Sequence, residues 1–337
     1  FSLPLSHMKK LLLFFLVFVS LACQRATPVA SLAVYYWKTY LSLTPAQEDF
    51  LAAQRITKLY VRYCDVGLRS GEAVPIAPIE MDSVALVGKQ VVPVIYLKNE
   101  VFLDKQTDPK ALAAKVGKYI EQINNSYHLT VGEVQFDCDW SLSSKERYFA
   151  FLEHFRGLYP YRLSATIRLH QVKYQDTTGV PPIDRGVLMY YNMGKITATG
   201  SNSIYDREVA KRYLPSLRGY PLPLDIALPL FSWGVHSIAG DVNALIGGLT
   251  TAQMDTIKGV ERMGETSSYL VTHQTNYLGR LWQKGDVIKV EEITPENLRE
   301  MKADLIKYMK QPPKEIILYD LNKNITTYEK KLFDDLR

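Results

Sequence analysis

Two carboxylates stand two residues apart in the segment GEVQFDCDW, residues 132–140, at Asp137 and Asp139. Polar and apolar residues alternate through it. A strand period of two therefore sets Gln135, Asp137 and Asp139 on one face and Val134, Phe136 and Cys138 on the other. Acids about 7 Å apart on one strand face couple electrostatically, so one pKa is expected to rise. A raised acid beside an ordinary one suits proton transfer. The competing reading is structural, with each carboxylate held by Arg168 or by tyrosine hydroxyls.

Elements able to position these groups recur along the chain. Eight apolar, β-branched or aromatic runs occur at 32–37, 58–65, 91–98, 133–139, 162–169, 186–192, 225–233 and 315–321. Runs this continuous suit parallel strands covered on both faces. Helical patterns lie between most of them. Thr44-Pro45, Asp108-Pro109 and Thr294-Pro295 mark helix starts, and Ser143 with Glu146 has the spacing of a capping box. The alternation predicts an α/β fold, a (β/α)8 TIM barrel spanning residues 32–337. No G-x-G-x-x-G follows the first strand, which argues against a doubly wound sheet. The long gap after the seventh run predicts a small β-rich insertion at approximately 240–292, with turns near Leu278-Gly279 and Lys284-Gly285.

Barrel sites form at the C-terminal ends of the strands. Those ends supply Trp37, Asp65, Lys98, Asp137, Asp139, Trp140, Arg168, His170, Tyr191, Asn192, Trp233, Asp320 and Asn322. Aromatic rings can stack on the apolar faces of sugars while acids and amides bind hydroxyls, so the expected partner is a carbohydrate. Asp139 and Asp137 are the expected catalytic pair. Gln135, Tyr191, Asn192, Trp37, Trp140, Trp233, Asp65, Arg168 and Asp320 are the expected substrate contacts.

The pattern V-x-F-D-x-D-W at Val134–Trp140 resembles the fourth-strand signature of family 18 glycoside hydrolases, the chitinases and endo-N-acetylglucosaminidases. Met189-Tyr190-Tyr191-Asn192 is similar to that family's sixth-strand motif, and an insertion after strand seven also occurs there. The resemblance implies that Asp139 orients a substrate acetamido group, that Asp137 supports it, and that Tyr191 and Asn192 contact the sugar. The chain departs from the family in three places. Ser141 occupies the position of its general-acid glutamate, Gln135 replaces a glycine, and the last strand lacks the usual tryptophan. In these respects it looks closer to a group of bacterial envelope lipoproteins with a family-18-like barrel and a Q-x-D-x-D strand. Two readings stay open. Asp139, with Asp65, Asp320 or Asp206 as partner, hydrolyses a glycosidic bond, or the barrel binds glycan without cleaving it.

Composition is that of a globular protein, at 47% hydrophobic and 22% charged residues, with Tyr abundant at 22 copies. The formal net charge of +5 is spread without a basic stripe, which argues against nucleic acid. Residues 1–7 read as upstream read-through. Residues 8–22 read as a secretory signal, with Lys9-Lys10 ahead of an apolar run ending Leu21-Ala22. Cys23 after that run resembles the acylated cysteine of a bacterial lipobox. That likeness implies a lipidated tether over 23–31, a membrane partner and a place in the bacterial cell envelope. Cys64 and Cys138 are expected as separate buried thiols. The six histidines show no ligand spacing, so neither metal nor cofactor is expected.

Overall fold

The computed structural model describes residues 29–322, 325, 326 and 328–337. Cys23, the signal segment and most of the tether lie outside the described residues. Eight parallel strands form the core: β1 (Ser31–Tyr36), β2 (Lys58–Arg69), β3 (Gln90–Leu97), β4 (Glu133–Asp137), β5 (Arg162–Arg168), β6 (Arg185–Met189), β7 (Leu224–Pro229) and β8 (Glu315–Tyr319). Each pairs with its neighbours in sequence, and β1 closes the ring by pairing with β8 (Leu32 opposite Ile316) and with β2 (Val34 opposite Leu59). All eight coincide with the apolar runs of the sequence, and the architecture is a closed (β/α)8 barrel.

Closure fixes which side chains turn outward. Phe136 on β4 meets Phe151 and Phe155 of the helix Lys145–Leu158 edge to face, at centroid distances of 5.1 and 4.9 Å. Val134 and Cys138 are buried beside it, as the strand period requires. Cys64 and Cys138 are both free, and burial pushes the Cys64 thiol up to about 12.

Three helix starts follow their sequence signals. Thr44 and Thr294 form reciprocal capping boxes with Gln47 and Asn297, and the Asp108 carboxylate accepts from Lys110 N. The expected Ser143–Glu146 box does not form. The helix begins at Lys145 after Ser144, whose hydroxyl donates to Asn99 Oδ1 at 2.5 Å and accepts from Ser141 N at 2.9 Å. The alternation is also imperfect. Between β2 and β3 stand an antiparallel strand, Glu72–Ile76, and a single 3-10 turn, Ser83–Leu86.

The insertion starts earlier than approximately 240. Trp233 opens its first strand, Trp233–Ile238, which joins Asp241–Gly247, Val287–Glu291, Ser268–Val271 and Val260–Arg262 in a five-stranded sheet. A separate hairpin, Thr275–Tyr277 with Arg280–Trp282, turns at Leu278-Gly279. Both turn residues have positive φ, 52° and 71°, which matches the right-handed twist of the flanking strands. Ile246, Leu249, Tyr269, Trp282 and Ile288 give the insertion its own small core.

Polar residues facing the axis are matched in layers. At the N-terminal end Arg185 pairs with Glu133 at 2.6 Å, with Asp225, and with Glu315 at 3.5 Å. Lys58 reaches Glu133 at 3.4 Å and Glu315 at 3.2 Å. Burial alone would raise the pKa of Glu133, but Arg185 and Lys58 outweigh it and hold the carboxyl below its ordinary value. Above this cluster Tyr35 donates to Gln135 Oε1 at 2.6 Å, and Gln135 reaches Ser164 at 3.4 Å.

Removing one partner from a buried cluster strands the rest. Arg185→Met is therefore expected to destabilise the fold by about 3–5 kcal/mol in denaturant unfolding at neutral pH. Because the folded pKa of Glu133 is depressed, its contribution is present above the unfolded glutamate value and is lost as pH falls through the folded one. Arg185→Met should flatten that acid limb. A stability and acid profile equal to the parent would contradict this role for the cluster.

Candidate functional site

Above the Gln135 layer the barrel opens at its C-terminal mouth into a cleft of two adjoining lobes. The deeper lobe, about 290 Å³, is lined by Tyr35, Trp37, Tyr96, Asp137, Thr166 and Tyr319. The shallower lobe, about 350 Å³, is lined by Asp139, Leu169, His170, Met193 and Tyr213. Arg168, Met189, Tyr191 and Asn192 belong to both and form the shared wall.

Strand parity builds the deep lobe. Asp137 ends β4 two residues above Gln135 and accepts from Thr166 Oγ1 of β5 at 2.5 Å. Its carboxyl is raised above the ordinary aspartate value. Burial is the largest cause, Arg168 and the Thr166 hydrogen bond oppose it, and Asp139 adds a smaller upward push. The rise anticipated from the paired acids is present, but desolvation drives it more than mutual repulsion. Asp139 lies past the strand end, with 53% of its side chain exposed. Arg168 Nε donates to its Oδ1 at 2.6 Å and Nη2 to its Oδ2 at 3.0 Å. Such a bidentate clamp fixes a carboxylate's orientation. His170 sits on the same rim, and burial lowers its pKa more than Asp139 raises it, which favours the neutral imidazole.

The floor is aromatic. Tyr191 stacks on Tyr319 with centroids 5.4 Å apart, and Trp37 meets Tyr319 edge to face at 5.7 Å and Tyr35 at 6.2 Å. Burial raises the pKa of Tyr35, Tyr96, Tyr191 and Tyr319, so these hydroxyls are neutral at physiological pH. The Tyr191 hydroxyl is buried and has no hydrogen-bond partner. Asn192 takes a left-handed backbone, φ 56°, while its N–H donates to Ile204 O at 2.8 Å, and this presents its exposed amide at the rim.

Among the residues expected from sequence, Asp137, Asp139, Arg168, Tyr191, Asn192 and Trp37 converge on the cleft. Five do not. Gln135 is fully buried in the layer beneath. Trp140 is 2% exposed, stacks on Tyr148 of the neighbouring helix and donates its indole N–H to Thr178 O, so it is core and offers no face to a ligand. Trp233 belongs to the insertion and donates to Glu291 Oε2 at 2.7 Å. Asp65 is paired with Arg62 at 2.6 Å in the middle of a strand that runs on to Arg69. Asp320 accepts from Asn322 at 3.0 Å and lines neither lobe. Asp206 caps the helix Arg207–Lys211, and its pKa is lowered by hydrogen bonds, the largest from Ser201; it is not a spare acid.

Tyr96, Thr166 and Tyr319 were missed. Parity marked two of them, since Tyr96 and Thr166 lie two residues before the strand-end residues Lys98 and Arg168, whereas Tyr319 directly precedes Asp320 and has the opposite parity. The Ser141 hydroxyl lies 3.2 Å from Ser144 Oγ, which in turn donates to Asn99. The position of the family's acid is thus occupied by a hydroxyl network.

The sequence matches no family model and no curated protein. Solved structures give a consistent fold. The spore cortex-lytic enzyme SleL of Bacillus cereus aligns over 91% of this chain and 74% of its own, with TM-score 0.55 and 16% identity. A chitinase from Chromobacterium violaceum aligns over 91% and 98%, with TM-score 0.54 and 10% identity. A class V chitinase of Cycas revoluta, solved with (GlcNAc)3, aligns over 91% and 99%, with TM-score 0.56 and 11% identity. The chain thus shares the (β/α)8 barrel fold of these solved structures.

A carboxyl raised by burial favours folding most while it is protonated. Its contribution is full below the unfolded aspartate value and is lost as pH rises through the folded one. Asp137→Asn keeps an acceptor for Thr166 and removes this loss. Its melting temperature at neutral pH should equal or exceed that of the parent, with a flatter decline from acid to neutral pH. A clearly lower value at neutral pH, with the parent's slope retained, would contradict burial as the dominant cause.

Proposed function

We propose that the cleft binds an N-acetylated oligosaccharide and holds it without the family's hydrolytic acid. The single observation that carries this reading is the aromatic cleft itself, with an unpartnered buried hydroxyl at Tyr191 in its wall. Trp37 and Tyr319 offer rings to the apolar faces of a sugar. Tyr191 offers a hydrogen-bond donor suited to an acetamido carbonyl, beside the Asp137 carboxyl whose pKa burial raises, and Asn192 with the Arg168–Asp139 pair serves hydroxyls at the rim. The Cycas chitinase of the same fold was solved with a GlcNAc trimer, which supports this sugar class.

Binding without cleavage follows from the proton inventory. Ser141 cannot donate a proton at a useful pKa, and both Asp139 oxygens already accept from Arg168. The rival reading is hydrolysis with Asp137 as proton donor, favoured by its raised pKa at the edge of the deep lobe. Calorimetry with an N-acetylglucosamine trimer should give measurable affinity, with no new reducing ends on prolonged incubation. Trp37→Ala should weaken binding by about tenfold or more. Reducing ends that appear with the parent and vanish with Asp137→Asn would establish the rival. No binding of any such oligomer would remove both.

The same proposal places the barrel at a bacterial envelope membrane, held by acyl chains on Cys23. Its support is the lysine pair, the short apolar run and the cysteine after Leu21-Ala22. Cys23→Ala in the producing cell should abolish fatty-acid labelling and release the protein from the membrane fraction. Unchanged labelling and sedimentation would contradict the anchor.

A further inference from the structure

The formal charge of +5 shows no stripe along the sequence, but the barrel gathers cations on one face. Eight loops lead into the eight strands and form the N-terminal rim. Bonds such as Ser31 N–H to Lys314 O and Arg162 N–H to Gly132 O, both 3.0 Å, tie them to their neighbours. Six cations stand in these loops or at a strand start: Arg55, Lys89, Arg162, Arg218, Lys310 and Lys314. All are exposed except the half-buried Lys89, and none forms an ion pair with a described residue. The same loops hold two acids. Asp184 is spent on Arg156 at 3.0 Å and on Leu163 N–H at 2.7 Å. Asp82 accepts from Val84 N–H at 3.0 Å. Inside the barrel Glu133, Asp225 and Glu315 are matched by Arg185 and Lys58. Six outer cations therefore face one capping acid and one surplus inner carboxylate.

Apolar side chains share the face. Val29, Val84 and Val87 are 73%, 74% and 75% exposed, and Leu158 ends the helix Lys145–Leu158 with half its surface free. Cations interspersed with exposed apolar groups suit the boundary between lipid headgroups and acyl chains. Each Lys or Arg near an anionic lipid surface adds about fivefold in affinity.

The point of chain entry favours lipid over an acidic protein as the occupant. Val29 lies two residues before β1, on this same rim. The six residue steps from Cys23 to Val29 reach at most about 20 Å. The helix Pro109–Ser126, which runs along the side of the barrel, has 18 residues and is therefore about 27 Å long. An acyl group on Cys23 thus lacks the reach to bring the C-terminal mouth down to a membrane.

We infer that the N-terminal rim lies against an anionic lipid surface, with its cations among the lipid phosphates, so that the cleft faces away from the membrane. The orientation rests on the acylated Cys23 proposed above, whereas the charge pattern of the rim stands without it.

The test reconstitutes the full acylated chain in liposomes of phosphatidylcholine, alone or with about a third phosphatidylglycerol. A fluorophore is placed at Val87→Cys on the rim or at Leu281→Cys on the insertion, both exposed, and its quenching by a headgroup-labelled lipid is measured. Cys64 and Cys138 are buried and stay unlabelled. On the anionic liposomes, rim quenching should exceed insertion quenching several-fold. It should fall on phosphatidylcholine alone and at about 0.5 M salt, and fall by about half or more in Lys310→Gln/Lys314→Gln. Both lysines are exposed and remote from the cleft, so trimer affinity should not change in that variant. Equal quenching at the two sites, or rim quenching indifferent to lipid charge, salt and the lysines, would overturn the surface and leave the anchor standing. A chain that carries no acyl group is a different failure, that of the anchor. Sedimentation of such a chain with the anionic liposomes alone, lost in the double variant, would still uphold the surface; sedimentation with neither would overturn it. Salt-sensitive capture of duplex DNA without any lipid preference would give the face to nucleic acid and overturn the lipid reading.

Discussion

Closure of a parallel barrel obliges every inward side chain to find its partner across the axis. That constraint organises this molecule. At the N-terminal end two cations and three carboxylates neutralise one another within hydrogen-bonding distance. One layer higher, neutral groups suffice: Tyr35, Gln135 and Ser164 pass hydrogen bonds from strand to strand. At the Asp137 layer the matching becomes incomplete. Asp137 is desolvated more than it is compensated, and the Tyr191 hydroxyl has no partner. The gradient from satisfied to unsatisfied polar atoms runs along the barrel axis, and the cleft lies at its unsatisfied end. Unpaired buried polar groups are costly, so the Tyr191 hydroxyl in the cleft wall is a physical reason to expect a ligand there.

The same layer departs from the family pattern at its strand end. In the chitinase-like pattern the strand-four acids act with a glutamate two residues further on. Here the chain turns from Asp139 into a serine network anchored by Asn99, and Arg168 from the next strand takes hold of Asp139 instead. The strand end therefore carries a fixed ion pair beside a hydroxyl network, with the rings and the deep acid below it.

Much of this was legible in the sequence because it depends on local periodicity. The eight runs located the eight strands, and alternation in residues 133–139 correctly sent Phe136 to the helices and Asp137 to the axis. What parity could not show was depth. Gln135 and Asp137 share a face, but one level of the barrel separates a sealed hydrogen-bond layer from an open lobe. Strand position misled at Asp65, which stands level with Tyr96 and Asp137 but spends its carboxylate on Arg62 and lines neither lobe. Trp140 and Trp233 were placed by proximity to strand ends. Their actual positions depend on a helix and an insertion whose packing is non-local. The Ser143–Glu146 box failed because Ser144 had a better partner in Asn99, far away in sequence.

The most direct test is a crystal structure of the protein soaked with an N-acetylglucosamine trimer. The account predicts a sugar ring against Trp37 and Tyr319, its acetamido group hydrogen-bonded to Tyr191 and Asp137, with every glycosidic bond intact. A cleft left empty, a trimer bound elsewhere, or density for cleaved product in the deep lobe would contradict it.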